Sequence, residues 1–277
     1  MTLSRQRVVE ALARNRAYGY VRVRDVVRSL VAPGPSGRQG NPPASVLRRL
    51  LSDCAEPGLA RELAPIATPP ALFDHYVGAI ARIRVLADAA PDTFFSLEHD
   101  PFVKDLAICL GQLFPGGARL VDLRSGLPRR MILWQRFAAP RALHFLTAAG
   151  GFEPWLQTHV DPRDLSQFSE AGLVRTYRLI AAILESNPTV LGVFGGSWFY
   201  DPCLATLSPH LAYLQRLPRA HGAGLFRAPT TPGSIRSALL KSARRKEAYE
   251  QGTYRPQSYF MVWPRRGVLA WAQAAAL

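Results

Sequence analysis

The sequence predicts an α+β protein that is largely helical, with a helical N-terminal segment and a small β-sheet in the C-terminal two thirds. Apolar residues recur at helical spacing over the first 65 residues, where no strand pattern occurs. Runs of β-branched and aromatic residues begin only after residue 117, and they then alternate with helical patterns. Because 48% of the 277 residues are hydrophobic, the chain can bury a sizeable core.

Two helices and a loop define the N-terminal segment. Residues 4–16 place apolar side chains on one face at helical spacing, and residues 22–31 repeat the pattern. The stretch 32–43 holds four prolines and three glycines, which predicts a mobile loop. We therefore divide the chain into a helical N-terminal segment, residues 1–65 with the mobile loop 32–43, and a main α+β domain, residues 66–277.

Helices and strands interleave in the main domain. Periodicity and stop signals predict helices over residues 70–90, 101–114, 169–185, 203–217 and 234–250. Short runs rich in β-branched and aromatic residues predict strands over residues 118–123, 131–134, 189–200 and 258–263. The order, with helices first and strands between later helices, is typical of an α+β domain preceded by a helical segment.

The chain is strongly basic, with a formal charge of +14 from 34 basic and 20 acidic residues. The basic excess is concentrated at the two ends, residues 1–65 and 202–277, whereas the stretches 66–100 and 161–201 are net acidic. A nucleic-acid-binding surface gathers its basic residues on one face, so this distribution disfavours a nucleic-acid partner. The acidic stretches could bind a cationic ligand despite the overall charge.

Several classes of protein are excluded by what the chain lacks. It has neither GxGxxG nor GxxxxGK(S/T), the glycine-rich loops that bind nucleotides. It also lacks the hydrolase motif GxSxG and the zinc-protease motif HExxH. Cys54, Cys109 and Cys203 form no CxxC pair, which argues against a disulfide framework and a thiolate zinc site. Residues 1–16 lack the apolar core of a secretory signal, and no apolar run approaches the roughly 20 residues that span a bilayer. We expect a cytoplasmic protein with no membrane partner.

Three consecutive ionisable residues, Glu98, His99 and Asp100, lie between aromatic residues in the segment FFSLEHDPF, just before a predicted helix. Asp100 suits the N-cap of that helix. The side chain of His99 is either exposed on the surface or located at the mouth of an apolar pocket. In a pocket, a neighbouring carboxylate would orient the imidazole as a metal ligand or a general base.

The segment Gly192–Pro202, GVFGGSWFYDP, combines glycines with four aromatic residues. Glycines in a strand allow something flat or bulky to approach the backbone closely. The alternative is a buried strand whose aromatic residues belong to the core. Asp201 follows this strand and can cap the next helix, and His210 comes next on a face that we expect to be half-buried.

The segment Lys241–Trp263 combines a basic cluster with three tyrosines and Arg255, ahead of the last predicted strand. A basic cluster is usually a solvated helix face. An arginine among aromatic residues can instead bind a carboxylate or phosphate, because the guanidinium fork binds two oxygens at once. Arg255 is therefore a candidate for anchoring a carboxylate.

The blocks FSLEHDPFVKDLAICLG, GVFGGSWFYDP and SARRKEAYEQGTYRPQSYFMVWP together resemble the haem-dependent arginine N-hydroxylases of the D-cycloserine biosynthetic pathway, over most of the chain. The resemblance implies haem b as the cofactor, L-arginine as the substrate and Nω-hydroxy-L-arginine as the product. It also implies an electron donor or a peroxide source as a partner. No block is a defined catalytic motif, so the resemblance does not show which side chain binds iron.

A haem protein needs an axial ligand and an apolar slot. We rank His99 first, because its aromatic and acidic neighbours offer both a slot and an orienting partner, followed by His210 and His75. Arg255 would hold a haem propionate or the substrate carboxylate. The substrate guanidinium requires carboxylates, and the candidates come from the net acidic stretches: Glu98, Asp100 and Asp201.

Two other classes of function remain open at this point. An acyltransferase of the acetyltransferase type has an apolar strand with a bulge near its end, followed by a helix that receives a pyrophosphate. Residues 189–217 have that strand-then-helix order but lack the usual glycine-rich acceptor loop. The third class is a non-enzymatic nucleic-acid or partner-binding module. The sequence also leaves open whether the chain forms a homodimer.

Overall fold

The structure is a computed structural model, and it describes residues 3–31 and 42–274. The predicted mobile loop, residues 32–43, lies outside these residues apart from its last two positions. None of the helices in the described ranges has the length and the hydropathy that crossing a bilayer would require.

The chain forms two compact units. The first consists of residues 1–116 and 120–125, and the second consists of residues 117–119 and 126–277. The boundary predicted at residue 65 lies within the first unit.

In the described residues of the first unit, six α-helices and two short 3₁₀ helices precede a two-stranded ladder. The helices are α1 (Arg5–Arg14), α2 (Arg22–Leu30), α3 (Ala44–Cys54), α4 (Pro57–Leu63), α5 (Phe73–Ala89) and α6 (Asp100–Cys109). They are followed by β1 (Leu113–Pro115) and β2 (Arg119–Ser125), which pair antiparallel with Leu113 opposite Asp122. Every residue of α6 from Phe102 onward is buried, so this helix forms the centre of the unit.

A buried carboxylate joins the N-terminal helices of the first unit to its ladder. Asp122 is almost fully buried; its Oδ2 accepts a hydrogen bond from the backbone N–H of Tyr20 at 2.5 Å, and its Oδ1 accepts one from that of Arg124 at 3.1 Å. The neighbouring Arg22 is also buried and donates to the side chain of Gln112. Burial lowers the pKa of Arg22 to about 10, with the charge of Arg124 adding to the effect.

Helices and strands alternate in the second unit. Its elements are, in order, α7 (Met131–Trp134), α8 (Ala139–Ala148), β3 (Trp155–Val160), α9 (Glu170–Glu185), β4 (Gly192–Ser197), α10 (Leu204–Leu207), α11 (Tyr213–Ala220), β5 (Gly224–Ala228), α12 (Pro232–Leu240), α13 (Ala243–Glu250), β6 (Ser258–Pro264) and α14 (Arg265–Ala274). The fold class that the sequence predicts is confirmed.

The sheet of the second unit is mixed, with the strand order β3-β4-β6-β5. β3 and β4 are parallel and are connected through α9, as parallel neighbours must be connected by a crossover. β6 pairs antiparallel with both β4 and β5. On one face, Trp155, Phe194 and Val262 form a core with Leu146 of α8.

Four local predictions differ from the structure. Residues 131–134 form α7 rather than a strand, because a short apolar run does not distinguish a buried helical turn from a strand. The helix predicted over 101–114 ends at Cys109 and is followed by β1. The helices predicted over 203–217 and 234–250 are each interrupted, the first at Ser208-Pro209 and the second at Ser242, whose hydroxyl caps α13.

Gly111 lies two residues after the end of α6, against the backbone of α4. It has a φ of +66°, and a Cβ at this position would lie 2.1 Å from the carbonyl oxygen of Ala60. Gly19, in the same unit, has a similar φ of +89° but only ordinary contacts, the nearest at 3.7 Å.

We expect Gly111→Ala to lower the free energy of unfolding by about 2–5 kcal/mol, from left-handed strain plus a backbone collision. Gly19→Ala should cost only the strain, about 1–2 kcal/mol. Urea unfolding of both variants measures the difference. Equal losses would show that the collision at Ala60 is relieved by a small shift.

Candidate functional site

The second unit holds a buried arginine where its two parallel strands end. Arg119 is 1% exposed and follows Gly117, which turns the chain at a φ of +77°. Its Nη1 donates a hydrogen bond to Thr158 Oγ1 at 3.4 Å. Thr158 is the last residue of β3 that pairs with β4, opposite Gly195. The guanidinium therefore lies beside the carboxyl-terminal halves of the parallel strands, two residues before each strand ends, toward the edge where open α/β sheets bind ligands.

Aromatic rings surround the guanidinium. Its central carbon lies 5.5 Å from the ring centre of Phe168, 5.2 Å from that of Phe199 and 5.7 Å from that of Tyr200. Such contacts stabilise a cation and exclude water, and each is worth up to about 2 kcal/mol when desolvated. The rings offer no acceptor to the N–H groups in the plane of the guanidinium.

One edge of the Arg119 guanidinium has no hydrogen-bond partner. Nε and Nη2 are both buried, and no acceptor in the described part of the chain forms a hydrogen bond with either nitrogen. Over the same residues, no carboxylate forms an ion pair with Arg119. Nε–H and the neighbouring Nη2–H point in the same direction, so together they match the two oxygens of a carboxylate in a bidentate pair.

This arrangement is costly without a ligand. A buried charge left without its partner typically costs about 3–5 kcal/mol, and a buried unpaired donor costs about 1–3 kcal/mol. The cation–π contacts of Arg119 offset part of that cost but leave both donors unsatisfied. A planar anion that binds the open edge would satisfy both donors and neutralise the charge at once.

Two tyrosine hydroxyls lie near the arginine, those of Tyr177 on α9 and Tyr200 after β4, and both are buried. Burial raises the pKa of Tyr177, with Tyr200 adding to the rise and Arg119 opposing it, so this hydroxyl keeps its proton at neutral pH. A Cβ on Gly195 would lie 3.0 Å from the Tyr200 hydroxyl, so glycine leaves the room that this side chain needs. We call Arg119, Thr158, Phe168, Tyr177, Phe199 and Tyr200 the Arg119 cluster.

The register of the two parallel strands ends next to the cluster. Their pairing ends at Thr158 and Gly195, although β3 continues to Val160 and β4 continues to Ser197. β4 remains paired with β6 on its other side through Ser197. Over the described residues, the last two residues of β4 therefore pair with β6 and lie beyond the β3–β4 register, next to the cluster.

The aromatic residues around the glycines of β4 belong to the protein's own packing. Phe194, Phe199 and Tyr200 are buried, as the core interpretation predicts. A Cβ on Gly196 would lie 2.8 Å from the ring of Phe260, so the flat group that approaches this glycine is a side chain of β6. The glycines alone therefore do not indicate a ligand.

Asp201 and Arg245 show what satisfied buried charges look like in the same unit. Asp201 Oδ1 accepts from the N–H of Cys203 at 3.0 Å, and Oδ2 accepts from that of Gln257 at 3.1 Å. Arg245 lies over the ring of Trp198, and its Nε and Nη1 donate to backbone and hydroxyl oxygens at 2.6 and 2.7 Å. Asp201, a predicted guanidinium ligand, thus holds two backbone groups in place.

The first unit contains a second candidate site, an apolar pocket of about 450 Å³. It is lined by Leu86, Ala89, Ala90, Pro91, Thr93, Phe94 and His99. His99 Nδ1 lies 3.0 Å from the carbonyl oxygen of Phe94, and its ring contacts that of Phe94 edge to face. The imidazole is therefore oriented by a backbone carbonyl rather than by the neighbouring carboxylate that the sequence suggested.

The two carboxylates beside His99 are paired with cations. Glu98 forms an ion pair with Arg28. Asp100 Oδ2 lies 2.7 Å from Lys104 Nζ, and its Oδ1 accepts from the hydroxyl of Tyr20 at 2.5 Å. The predicted N-cap role of Asp100 is wrong, because α6 begins at Asp100 itself and its carboxylate turns to these side chains.

The remaining predicted residues lie on the surface of their units. His75 is exposed on α5 and contacts the ring of Phe114 at 5.5 Å. His210 is exposed in a short 3₁₀ turn, and Arg255 is exposed in the loop before β6. None of the predicted site residues belongs to the Arg119 cluster.

Sequence reasoning missed Arg119, although it predicted the strand over residues 118–123. Its signal is an arginine within the apolar run ARLVDL. An arginine at a buried strand position needs a partner, but the sequence does not show which strand positions are buried.

Comparisons with protein-family models, with curated proteins and with solved structures find no match. Among the residues that the structure describes, no group of three or more histidine, cysteine or acidic side chains is placed to hold a metal ion.

We expect Arg119→Met to raise the free energy of unfolding of the ligand-free protein by about 1–3 kcal/mol, because it removes an unpaired buried charge. Arg245→Met should lower it by about 2–4 kcal/mol, because it leaves satisfied partners without their donor. Guanidinium chloride unfolding distinguishes the two signs. A loss of stability in both variants would show that the Arg119 charge is compensated within the chain.

Proposed function

We propose that the protein is an acyltransferase that moves an acyl group from a thioester to an acceptor carrying a carboxylate, and that the open edge of Arg119 binds this carboxylate. The observation that carries the proposal is the pair of buried, unsatisfied donors on one edge of a guanidinium. This edge recognises a planar two-oxygen anion and disfavours a neutral ligand, which would leave the charge uncompensated.

The end of the β3–β4 register supports a thioester donor. Gly196 and Ser197 of β4 pair with β6 and lie beyond the β3–β4 register, so an extended chain with amide groups could pair with them as an added strand. The pantetheine arm of an acyl donor is such a chain. A donor held there would end near the Arg119 cluster, which would bring its acyl group close to the bound acceptor.

The reaction needs few groups from the protein. The amine nitrogen of the acceptor forms a bond to the thioester carbonyl carbon, the carbon–sulfur bond breaks, and the sulfur leaves as a thiol with the proton of the amine. Arg119 would orient the acceptor through its carboxylate. Tyr177, which burial keeps protonated, can donate a hydrogen bond to a ligand in the cluster.

A haem-dependent hydroxylase of L-arginine is the second candidate, and the pocket at His99 favours it. A metal-binding histidine usually donates its other ring N–H to a carbonyl or carboxylate, and His99 Nδ1 meets the Phe94 carbonyl in that way. His99 would hold the iron through Nε2, and the other residues that line the pocket would supply the apolar contact. Haem would supply the oxidising chemistry. Glu98 and Asp100 each form an ion pair within the chain, so a substrate guanidinium would compete with Arg28 and Lys104 for them.

The acyltransferase proposal is tested by following thiol release from acyl-CoA donors of increasing length, with free amino acids and their amides as acceptors. We expect turnover with the free amino acids. Arg119→Lys keeps the charge but loses the bidentate edge, so it should raise KM for the acid at least tenfold, and Arg119→Met should raise it about a hundredfold.

Arg255→Met is the matched control, because Arg255 is exposed and lies outside the Arg119 cluster; its kinetics should equal those of the wild type. Turnover of the amino-acid amides should be equally low in wild type and in Arg119→Met. Equal KM values for acids and amides in the wild type would contradict the role of Arg119. The absence of thiol release with every donor would contradict acyl transfer.

The haem candidate is tested by the absorption spectrum of protein expressed with a haem precursor. A Soret band that shifts on reduction and addition of CO would support it. His99→Ala should then abolish the band, whereas His75→Ala, at an exposed position on the same unit, should leave it unchanged. Colourless protein would exclude this candidate and leave the acyltransferase proposal untouched.

A further inference from the structure

One stretch of the second unit is basic throughout. From Gly126 to Phe152 the chain has four arginines and no acidic residue. These arginines, at positions 129, 130, 136 and 141, are all exposed. The stretch contains α7 and α8, and its charge differs from that of the net acidic stretch 161–201 that follows.

The same stretch exposes large apolar side chains. Phe137 is completely exposed, Leu133 is 76% exposed and Leu143 is 45% exposed. A single exposed leucine is ordinary on a protein surface, but clustered apolar side chains that are bordered by charges mark an interaction site. We call six exposed side chains of this stretch, Arg130, Leu133, Arg136, Phe137, Arg141 and Leu143, the apolar–basic surface.

The backbone at Arg136 is strained. Its φ is +50°, and among the described residues it is the only one other than glycine with a positive φ. The left-handed conformation costs about 1–2 kcal/mol for an ordinary residue, and strain of this kind concentrates at functional sites. The turn at Arg136 precedes Phe137, the most exposed large apolar side chain of the described residues.

The apolar–basic surface is held in place from its inner side. The Gln135 side chain donates to the carbonyl of Arg227 at 3.0 Å and accepts from the N–H of the same residue at 2.9 Å. Gln135 therefore pairs with the edge strand β5 as a strand residue would. Trp134 contacts the ring of Phe260, and Leu146 lies in the core. The exposed side chains thus project from a fixed support.

We propose that the apolar–basic surface docks on the surface of an anionic lipid bilayer. Phe137 and Leu133 would enter the boundary between headgroups and acyl chains, and the arginines would contact lipid phosphates and carboxylates. This combination of apolar and basic residues is typical of segments that lie in the membrane interface.

The apolar component favours a bilayer over a nucleic acid. A nucleic acid would use the arginines but gains little from an exposed phenylalanine between them, because its phosphates require only charge. The sequence excluded a membrane partner because no spanning run exists. Docking on the surface of a bilayer requires no spanning run. The docking requires neither an acyl donor nor haem.

Co-sedimentation with vesicles tests the proposal with the full chain. We expect binding to vesicles of equal parts phosphatidylcholine and phosphatidylserine, and binding at least tenfold weaker to phosphatidylcholine alone. Phe137→Ser should weaken binding to the anionic vesicles about tenfold, because one buried phenylalanine is lost from the interface. Arg130→Gln should weaken it about fivefold, as expected for one basic residue near the surface.

Two variants serve as matched controls. Leu240→Ser removes a leucine of the same unit that is 75% exposed but lies outside the apolar–basic surface. Arg219→Gln removes an exposed arginine on α11. Both should bind as the wild type does, and circular dichroism should show all four variants folded, because the altered side chains are exposed.

Two results would overturn the proposal. One is the absence of binding to the anionic vesicles. The other is vesicle binding that Phe137→Ser leaves unchanged; if duplex DNA then binds at least as tightly, with the same dependence on Arg130, the surface is a polyanion site and not a membrane site.

Discussion

The unpaired edge of the buried Arg119 guanidinium is the physical feature on which the proposed site of the second unit depends. The side chain is buried against three aromatic rings, yet two of its donors are unsatisfied. Folding can retain such a charge only if the rest of the unit supplies the stability that it lacks. The hydrophobic core offsets the cost of the unpaired charge. It includes Trp155, Phe194 and Val262, which are buried in one cluster.

The strand order explains why the arginine can lie where it does. β3 and β4 run in parallel with α9 between them, so both strands end at the same edge. Their register ends at Thr158 and Gly195, close to Tyr200 and the guanidinium. Backbone groups of β4 beyond this register and a buried cation close to them fit a ligand that has both amide groups and a carboxylate.

The sequence predicts much of the fold and little of the site, for a physical reason. Long amphipathic helices such as α5 and α9 are predicted well, because their apolar spacing repeats over four turns. The run Met131–Trp134 is too short to show a period, so tertiary contacts decide its conformation. The sequence predicts His99, Asp201 and Arg255 as site residues because each lies close to aromatic residues in the chain. Arg119 has neighbours that are distant in sequence, Phe168 and Phe199, and only folding brings these together.

The most direct test of the central claim observes the Nε–H of Arg119 itself. In protein labelled with ¹⁵N at arginine Nε, the buried Nε–H should give a signal that exchanges slowly with water and is absent from the spectrum of Arg119→Lys. We predict that acetate, a carboxylate small enough to enter, shifts this signal downfield in a saturable way, and that uncharged acetamide does not. A signal that acetate leaves unmoved at saturating concentrations would contradict carboxylate binding by Arg119.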